Sequence, residues 1–263
     1  MIIVDTLFQA ASIDDAHFDR IMATQGEIFR SVNGRKTLRF LHGEKYYFIK
    51  IHNGVGWAEI IKNLLQLRLP ILGAKNEWLA IQRLSELQVD TLRLVGYGMR
   101  GWNPARLQSF VITEELSETI SLEDFCRNWR TTPPHIFLKR ALIKKIALIT
   151  RRLHENGVNH RDFYLCHFLL DISKPPSAEN LRISLIDLHR VQLRTNPVER
   201  WIVKDLAGLF FSAMHIGLTH RDLLRFIKVY HGASLRQIFP AKHPFWHAVQ
   251  SRALRLSRKP HKF

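Results

Sequence analysis

The segregation of strand-like and helix-like patterns along the chain most limits what it can fold into. Up to about residue 116 the sequence is rich in hairpin and strand signals, whereas the later patterns are mostly helical. We therefore expect an α+β protein of two lobes. The predicted division is a β-rich N-lobe (1–112), a hinge (113–118) and a mainly helical C-lobe (119–263).

The N-lobe pattern begins with three strand-like segments, EIFRSV, TLRFL and KYYFIKIH. They are joined at Asn33-Gly34-Arg35 and His42-Gly43-Glu44-Lys45, which are both hairpin signals. Helices are predicted at about 57–67, ended by Pro70, and at 75–88. Two more strands, LRLVGYG and LQSFVITEEL, complete this lobe.

The C-lobe pattern begins at SLEDFCRNW, where Ser121 is a predicted N-cap and Asp124 takes the capping-box position. A long helix with apolar residues at helical spacing follows and ends at Gly157. Next come the segment NHRDFYLCHFLL, a hairpin interrupted by SKPPSAEN, the strand RISLIDL and two further helices.

The net charge is the unusual feature of the composition. The chain has 39 Lys and Arg residues against 23 Asp and Glu, a formal charge of +16. Such a balance favours a polyanionic partner, whether nucleic acid, an anionic membrane face or a phosphorylated substrate. We expect no transmembrane span and no signal peptide, and two cysteines in 263 residues indicate a reducing compartment, by default the cytoplasm.

Two charged residues do not fit a purely structural pattern in the N-lobe. Lys50 emerges from the middle of KYYFIKIH, and Glu77 shares a helix face with the apolar Ile81 and Leu84. An inward-pointing glutamate requires a cationic partner, because an unpaired buried charge costs several kcal/mol. Lys50 is the predicted partner.

Two aspartates stand out in the C-lobe. Asp162 lies in a loop between the helix-ending Gly157 and an apolar strand, and Asp187 closes the apolar run ISLI. The tripeptide His-Arg-Asp alone is a weak signal, because it occurs again at 220–222. There Thr219 is a predicted N-cap and Asp222 its capping-box partner, so a helix start explains the second copy.

The order Lys50, Glu77, Asp162, Asp187 on a β lobe followed by an α lobe resembles the protein-kinase-like fold. The resemblance implies that Lys50, oriented by Glu77, holds the nucleotide phosphates and that Asp162 is the catalytic base. It implies that Asp187 binds the metal ion and that Asp205 braces the catalytic loop. The backbone of the hinge, including Glu114 and Leu116, would meet adenine.

His167 occupies the position where the kinase pattern has a metal-binding asparagine. Because Mg²⁺ prefers oxygen ligands, three roles stay open for the histidine: metal ligand, contact to a phosphate oxygen, or contact to metal-bound water. Further departures concern the phosphate loop. No G-x-G-x-x-G precedes Lys50. Two interpretations stay open for Arg35 and Lys36 at the hairpin tip: exposed turn charges, which are favoured, or contacts to the nucleotide phosphates.

The segment after Asp187 bears on the acceptor. Asp205 follows Asp187 by only 18 positions, and no A-P-E motif lies between them. Little room is left for the activation segment on which peptide substrates dock, so a small-molecule or glycolipid acceptor is favoured over a protein.

Longer strings resemble one kinase family in particular. KIHNGVGWAEIIKNLL, LPILGAKNEW, GVNHRDFYLCHFLL, SLIDLHRVQLR, RWIVKDLAGLFFSA and IGLTHRDLLRF are similar to the lipopolysaccharide core heptose kinases of Gram-negative bacteria. The resemblance implies ATP-dependent phosphorylation of the first inner-core heptose at its 4-hydroxyl, with Mg²⁺, at the cytoplasmic face of the inner membrane. It implies the nascent lipopolysaccharide core as substrate and an acyl carrier protein as a partner.

Other functions remain open on the sequence. The acceptor of such a kinase would otherwise be another core sugar, a small molecule or, less favoured, a protein. A pseudokinase or a nucleic-acid-binding module is a different class, but the key positions are retained and no nucleic-acid-reading motif is present, so no nucleic acid is expected. A zinc site of His160, Cys166, His167 and Cys126 matches no closed zinc spacing and ranks last.

Overall fold

The computed structural model describes residues 3–4, 15–32, 34–65 and 72–258. The predictions for Asn33 at the hairpin tip and for the helix end at Pro70 lie outside this range. The described residues form two compact units. The first comprises Met1–Arg83, Leu92–Ser117 and Leu188–Arg190, and the second comprises Leu84–Thr91, Glu118–Asp187 and Val191–Phe263.

The first unit is built on a six-stranded antiparallel sheet with the order β1-β5-β6-β4-β3-β2. Its strands are β1 (Ile3–Val4), β2 (Glu27–Val32), β3 (Arg35–His42), β4 (Lys45–Asn53), β5 (Leu94–Arg100) and β6 (Gln108–Glu114). The two predicted hairpins are confirmed, because β2 pairs with β3 and β3 with β4 at those turns.

Strand alternation places the core of the first unit on one face of the sheet. In β4, Tyr47, Ile49 and Ile51 are buried and pack with Phe18 of α1, whereas Lys50 is only half-buried on the opposite face. The helices of this region are α1 (Asp15–Met22), α2 (Gly56–Leu65) and α3 (Lys75–Glu86). The last two were predicted at nearly these positions.

The second unit is mainly helical. Its helices are α4 (Leu122–Phe125), α5 (Ile136–Glu155), α6 (Glu199–Ala213), α7 (His220–His231) and α8 (Leu235–Ser257). Its strands are β7 (Thr119–Ser121), β8 (Val158–Asn159), β9 (Phe168–Asp171), β10 (Ile183–Leu185) and β11 (Gln192–Leu193). They form a three-stranded sheet, β10-β9-β7, and a two-stranded one, β11-β8. Across the described residues, no helix combines the length and apolarity required to cross a membrane.

The structure corrects the number of helices at the C-terminal side. The sequence predicted two helices after Asp187, but α8 is a third, and it contains Pro240 and Pro244. A proline in a helical pattern usually indicates the end of a helix, because proline lacks a backbone N–H and its ring clashes with the preceding turn. Val249 and Ala253 of α8 are buried against α6 and α7, and this packing stabilises the helix despite both prolines.

The boundaries of the two units differ in detail from the predicted lobes. Residues 84–91 cluster with the second unit, and Leu188–Arg190 cluster with the first. Residues 84–91 contact the second unit through backbone hydrogen bonds such as the one that the N–H of Leu185 donates to the carbonyl of Asp90. The functional division into an N-lobe, a hinge and a C-lobe stays a prediction.

Candidate active site

The predicted ion pair of the first unit is confirmed. Lys50 Nζ on β4 lies 2.6 Å from Glu77 Oε1 on α3. Glu77 is 1% exposed and shares its helix face with the buried Ile81 and Leu84. The carboxylate is therefore held in an apolar setting by one cation, which in turn fixes the direction of the Lys50 side chain.

Strand register separates the two basic residues predicted to contact phosphate. Arg35 is directly opposite His52, and Thr37 is opposite Lys50, so Arg35 shares a sheet face with Lys50 and His52. Burial lowers the pKa of Arg35, Glu59 opposes this shift, and Arg190 and Arg30 add to it. Lys36 is opposite Ile51 and lies on the other face, so the structure does not bring it together with Lys50.

The segment predicted as a hinge is tied into the sheet by its first residues. The N–H of Glu114 donates to the carbonyl of Arg93, and the N–H of Glu115 donates to that of Tyr46. The Glu114 carboxylate pairs with Lys45 at 2.5 Å and with Arg93 at 2.9 Å, and the bond to Lys45 lowers its pKa. The N–H groups of Glu114 and Glu115 and the Glu114 carboxylate are thus bonded within the protein. A role for the backbone up to Leu116 in adenine binding stays a prediction.

The loop that carries Asp162 in the second unit is held by Asp205. The two carboxylate oxygens of Asp205 accept hydrogen bonds from the backbone N–H groups of His160 and Arg161, each at 2.8 Å. Asp205 is 1% exposed on α6, so burial and two charge-assisted bonds make the brace rigid. This confirms the bracing contact predicted for Asp205.

His160 holds the loop from a second side. Its Nε2 lies 2.9 Å from the carbonyl oxygen of Ile186, which only accepts hydrogen bonds, so Nε2 carries the hydrogen. Burial lowers the pKa of His160 and favours this neutral form, although the bond to Ile186 opposes the shift. The residue before Asp187 is thereby attached to the loop that contains Asp162.

Two of the four non-glycine residues with positive φ in the described ranges lie at the same place. Arg161 has φ 73° and Asp187 has φ 61°, both in the left-handed region that few residues other than glycine adopt. Such conformations persist where the surrounding contacts determine them, and they are enriched at functional sites. Arg161 directly precedes Asp162, the predicted catalytic base, and Asp187 is the predicted metal ligand.

His167 contacts both Asp162 and Asp187. Its Nδ1 lies 2.7 Å from the backbone carbonyl oxygen of Asp162, and its Nε2 lies 3.4 Å from Asp187 Oδ2. A carbonyl accepts only, so Nδ1 carries the hydrogen and Nε2 is directed at the Asp187 carboxylate. The contact between Nε2 and the carboxylate is favourable in two cases: when Nε2 also carries a hydrogen, and when a cation lies between the two groups.

The second His-Arg-Asp has the structural role predicted for it. Thr219 caps α7, and Asp222 completes the capping box. The Asp222 carboxylate also accepts a hydrogen bond from Lys139 at 2.8 Å and one from Arg225 at 2.9 Å in a largely buried setting. Residues 220–222 therefore begin a helix, whereas 160–162 form a loop braced from two sides.

The cysteines of the alternative zinc site are not prepared as ligands. Burial raises the pKa of Cys126 to about 12 and that of Cys166 to about 11, so both are thiols at neutral pH. Within the described residues, no three His, Cys, Asp or Glu side chains form a group that could hold a metal ion.

The sequence analysis did not single out a group of basic residues that lies beside the Asp162 loop. Arg161, Arg194, Arg200 and Lys204 surround the ring of Trp201 at 4.9–5.6 Å. The signal available in the sequence was RWIVKD, in which Trp201 lies one helical turn before Asp205 and Lys204 directly precedes it. Without the fold, this string is an ordinary amphipathic turn.

Comparison with known proteins identifies the family of the chain. The model of the lipopolysaccharide kinase (Kdo/WaaP) family matches residues 19–230. Lipopolysaccharide core heptose(I) kinase WaaP of Escherichia coli is 49% identical over 242 residues, which are 92% of this chain and 91% of that protein. The Pseudomonas aeruginosa protein of the same name is 52% identical over 221 residues, 84% of this chain and 82% of that one.

A solved structure, described as WaaP in complex with acyl carrier protein, has the same fold. It matches with a TM-score of 0.84 and 42% identity, over 97% of this chain and 99% of that one. The expected kinase-like fold is confirmed, and a kinase family implies the use of ATP. The protein belongs to the lipopolysaccharide kinase (Kdo/WaaP) family.

Proposed function

We infer that the protein is an ATP-dependent kinase that phosphorylates heptose I of the lipopolysaccharide core, and we propose the 4-hydroxyl as the acceptor group. The relatives named heptose(I) kinase are about half identical to it over most of its length. The observation that carries the assignment to this chain is the Asp162 loop, which Asp205 braces through two backbone N–H groups. A loop fixed in this way suits positioning, which is the main requirement of phosphoryl transfer.

In the proposed reaction Asp162 orients the acceptor hydroxyl. The hydroxyl oxygen forms a bond to the γ-phosphorus, the bond from that phosphorus to the β–γ bridging oxygen breaks, and ADP leaves. The hydroxyl proton passes to the Asp162 carboxylate late in the step. Lys50, held by Glu77, draws negative charge from the nucleotide phosphates, and Arg35 on the same sheet face adds to this field.

The donor set around Asp187 fits a divalent cation. Mg²⁺ is commonly held by one or two carboxylates together with substrate phosphates and water, so Asp187 alone can supply the protein oxygen. His167 directs Nε2 at the same carboxylate oxygen from 3.4 Å. We propose that these two residues hold Mg²⁺, which when bound neutralises charge on the phosphates.

The test of this function is turnover. Purified protein is assayed with ATP and lipopolysaccharide whose inner-core heptose is unphosphorylated, and the product is located by mass spectrometry and NMR. We expect phosphate at the 4-position of heptose I, and losses of at least ~100-fold for Asp162→Ala and for Asp187→Ala. Near-wild-type turnover in either variant contradicts its role, and phosphate on another sugar or molecule contradicts the acceptor.

We also propose an acyl carrier protein as a partner. The similar WaaP structure was solved with one, and a charge of +16 suits an acidic protein. The second unit also contains an apolar cavity of about 320 Å³ lined by residues that include Leu122, Trp129, Ile146, Leu209, Phe226 and Trp246. Its lining fits an acyl chain, so acylated carrier should bind more tightly than the carrier with a free thiol. Equal binding contradicts the use of the cavity.

Peripheral association with the inner membrane is the remaining proposal, and it rests on α2. Trp57, Ile61, Leu64 and Leu65 follow helical spacing and are each more than half exposed. Such a stripe suits the interface of an anionic bilayer, to which the basic surface, including Lys62, is attracted. Co-sedimentation with anionic vesicles should weaken in the variant Ile61→Ser/Leu65→Ser. Unchanged co-sedimentation contradicts the role of α2.

A further inference from the structure

Four cationic side chains converge on one aromatic ring in the second unit. The guanidinium carbons of Arg161 and Arg200 each lie 4.9 Å from the centre of the Trp201 ring, and that of Arg194 lies 5.5 Å from it. Lys204 Nζ lies at 5.6 Å. These four cations and the ring are called the Trp201 cluster.

Two cations of the cluster, Arg200 and Lys204, lie outside any ion pair of the described residues. The guanidinium of Arg194 donates to the neutral side chain of Gln192. Burial lowers the pKa of Lys204, and Arg161 lowers it further. A single aromatic ring attracts cations only weakly, so an anion bound between Arg200 and Lys204 would supply the attraction that the ring does not.

The elements that hold the catalytic loop also build this cluster. Arg161 directly precedes Asp162, and its N–H is fixed by Asp205. The N–H of Arg194 donates to the carbonyl of Gly157, and a Cβ at Gly157 would lie 1.9 Å from the Arg194 carbonyl oxygen. Glycine at this point therefore permits the close approach that brings Arg194 to the start of the loop.

The cluster is also electrostatically coupled to the predicted base. Arg161, the residue before Asp162, and Lys204 lie against the same ring, at 4.9 Å and 5.6 Å from its centre. Asp162 and Asp205 accordingly raise the pKa of Lys204, in opposition to the burial and to Arg161. An anion bound by Lys204 and Arg200 would thus lie close to the group that receives the acceptor proton. Arg is suited to such a role, because its planar donors match carboxylate and phosphate.

We propose that the Trp201 cluster is an acceptor subsite that binds a carboxylate or phosphate group carried by the acceptor next to the hydroxyl that is phosphorylated. The inference rests on the proposed kinase function and names what that function requires of its acceptor. The residues of the Trp201 cluster would thus select an anionic glycan as the acceptor. The anion is on the acceptor and not on the nucleotide.

The test compares Lys204→Gln, Arg200→Gln and the double variant with Lys144→Gln, which removes one exposed charge from α5. Each is assayed with three acceptors: the intact glycolipid, the same molecule after dephosphorylation, and the same molecule with its sugar carboxylates reduced to alcohols. For the double variant we expect the KM for the intact acceptor to rise at least about tenfold, with the KM for ATP unchanged. The acceptor that lacks the bound anion should show no such penalty, which identifies the group as phosphate or carboxylate.

Two results overturn the subsite. One is an unchanged acceptor KM in the double variant, and the other is a raised KM for ATP or a lower kcat with every acceptor alike. Failure of the proposed function looks different, because the wild type then turns over none of the three acceptors. In that case a calorimetric titration with the intact glycolipid compares the affinity of the wild type with that of the double variant. Equal affinities overturn the subsite, and at least tenfold weaker binding by the variant supports it. Thermal unfolding verifies that each variant is folded.

Discussion

His167 contacts Asp162, the predicted catalytic base, and Asp187, the predicted metal ligand, through the two nitrogens of its ring. Nδ1 lies 2.7 Å from the backbone carbonyl oxygen of Asp162, and Nε2 lies 3.4 Å from the Asp187 carboxylate. The backbone contact fixes which nitrogen carries the hydrogen and therefore which nitrogen faces Asp187. The asparagine of the protein-kinase pattern is replaced here by a side chain that also organises the loop.

Replacement of His167 should separate these two roles. We expect His167→Ala to lower kcat/KM by about 10- to 100-fold, because the Asp187 side chain loses its neighbour and the loop loses a hydrogen bond. His167→Asn should recover part of the loss, since its amide oxygen is a good Mg²⁺ ligand. The measurement is steady-state turnover across a Mg²⁺ titration. Equal, wild-type-like activity in both variants would contradict the role.

The Lys50–Glu77 pair should matter for catalysis beyond its effect on folding. We expect Lys50→Met to lower kcat/KM for ATP by roughly 10²–10³-fold, because a charge directed at the phosphates is lost. Glu77→Gln should act in the same direction through the orientation of Lys50. Arg100→Met is the control, since Arg100 on β5 also pairs with a helix carboxylate, Asp19, at 2.6 Å. An equal loss in the control would show that the effect is structural.

The two His-Arg-Asp sequences should respond in opposite ways to the loss of their aspartate. We expect Asp222→Ala to lower the free energy of unfolding by roughly 3–5 kcal/mol, because Lys139 is left buried without its partner. Asp162→Ala should leave the free energy of unfolding within about 1 kcal/mol and abolish most turnover. Urea unfolding and activity per folded molecule measure both quantities. A stable Asp222→Ala or an active Asp162→Ala would contradict the assignment.

His52 makes the stability of the first unit depend on pH. Burial lowers its pKa to about 4, and Arg35, Lys50 and His189 add to the shift. An unfolded histidine titrates near ~6.5, so between these values the unfolded state binds a proton that the folded state does not. Stability is therefore lost as the pH falls from ~6.5 to ~4, by about 3 kcal/mol in total.

The variant His52→Phe tests this dependence. Urea unfolding of wild type and variant between pH 7 and pH 4 should give a shallower loss for the variant. Some loss should remain, because burial lowers the pKa of His160 as well. Parallel curves for the two proteins would show that His52 does not titrate as described.

Much of the site was predictable, because its residues violate local patterns. A glutamate on an apolar helix face required a cation, and the pair with Lys50 is present at 2.6 Å. Thr219 and Asp222 form a capping box, which is a contact between residues three apart and is readable without a fold. The brace by Asp205 was expected from its resemblance to a kinase helix, and the structure contains both bonds.

Other features depended on contacts between distant segments. The helix α8 was not among the two helices predicted after Asp187. Its prolines disfavour a helix locally, and burial against α6 and α7 stabilises it. Lys36 was grouped with Arg35 as a neighbour in sequence, but strand alternation directs the two to opposite faces of the sheet. The Trp201 cluster joins Arg161, Arg194 and Lys204 from three separate parts of the chain.

By itself the sequence determined the α+β order, the hairpins, the caps and the identity of the charged residues at odds with their surroundings. These features depend on neighbours within a few positions, where periodicity and hydrogen-bond geometry are decisive. Only the tertiary structure decided the tautomer of His167, the strain at Arg161 and Asp187, and the convergence of cations on Trp201. Each of these depends on distances between residues far apart in the chain, and such distances are set by packing.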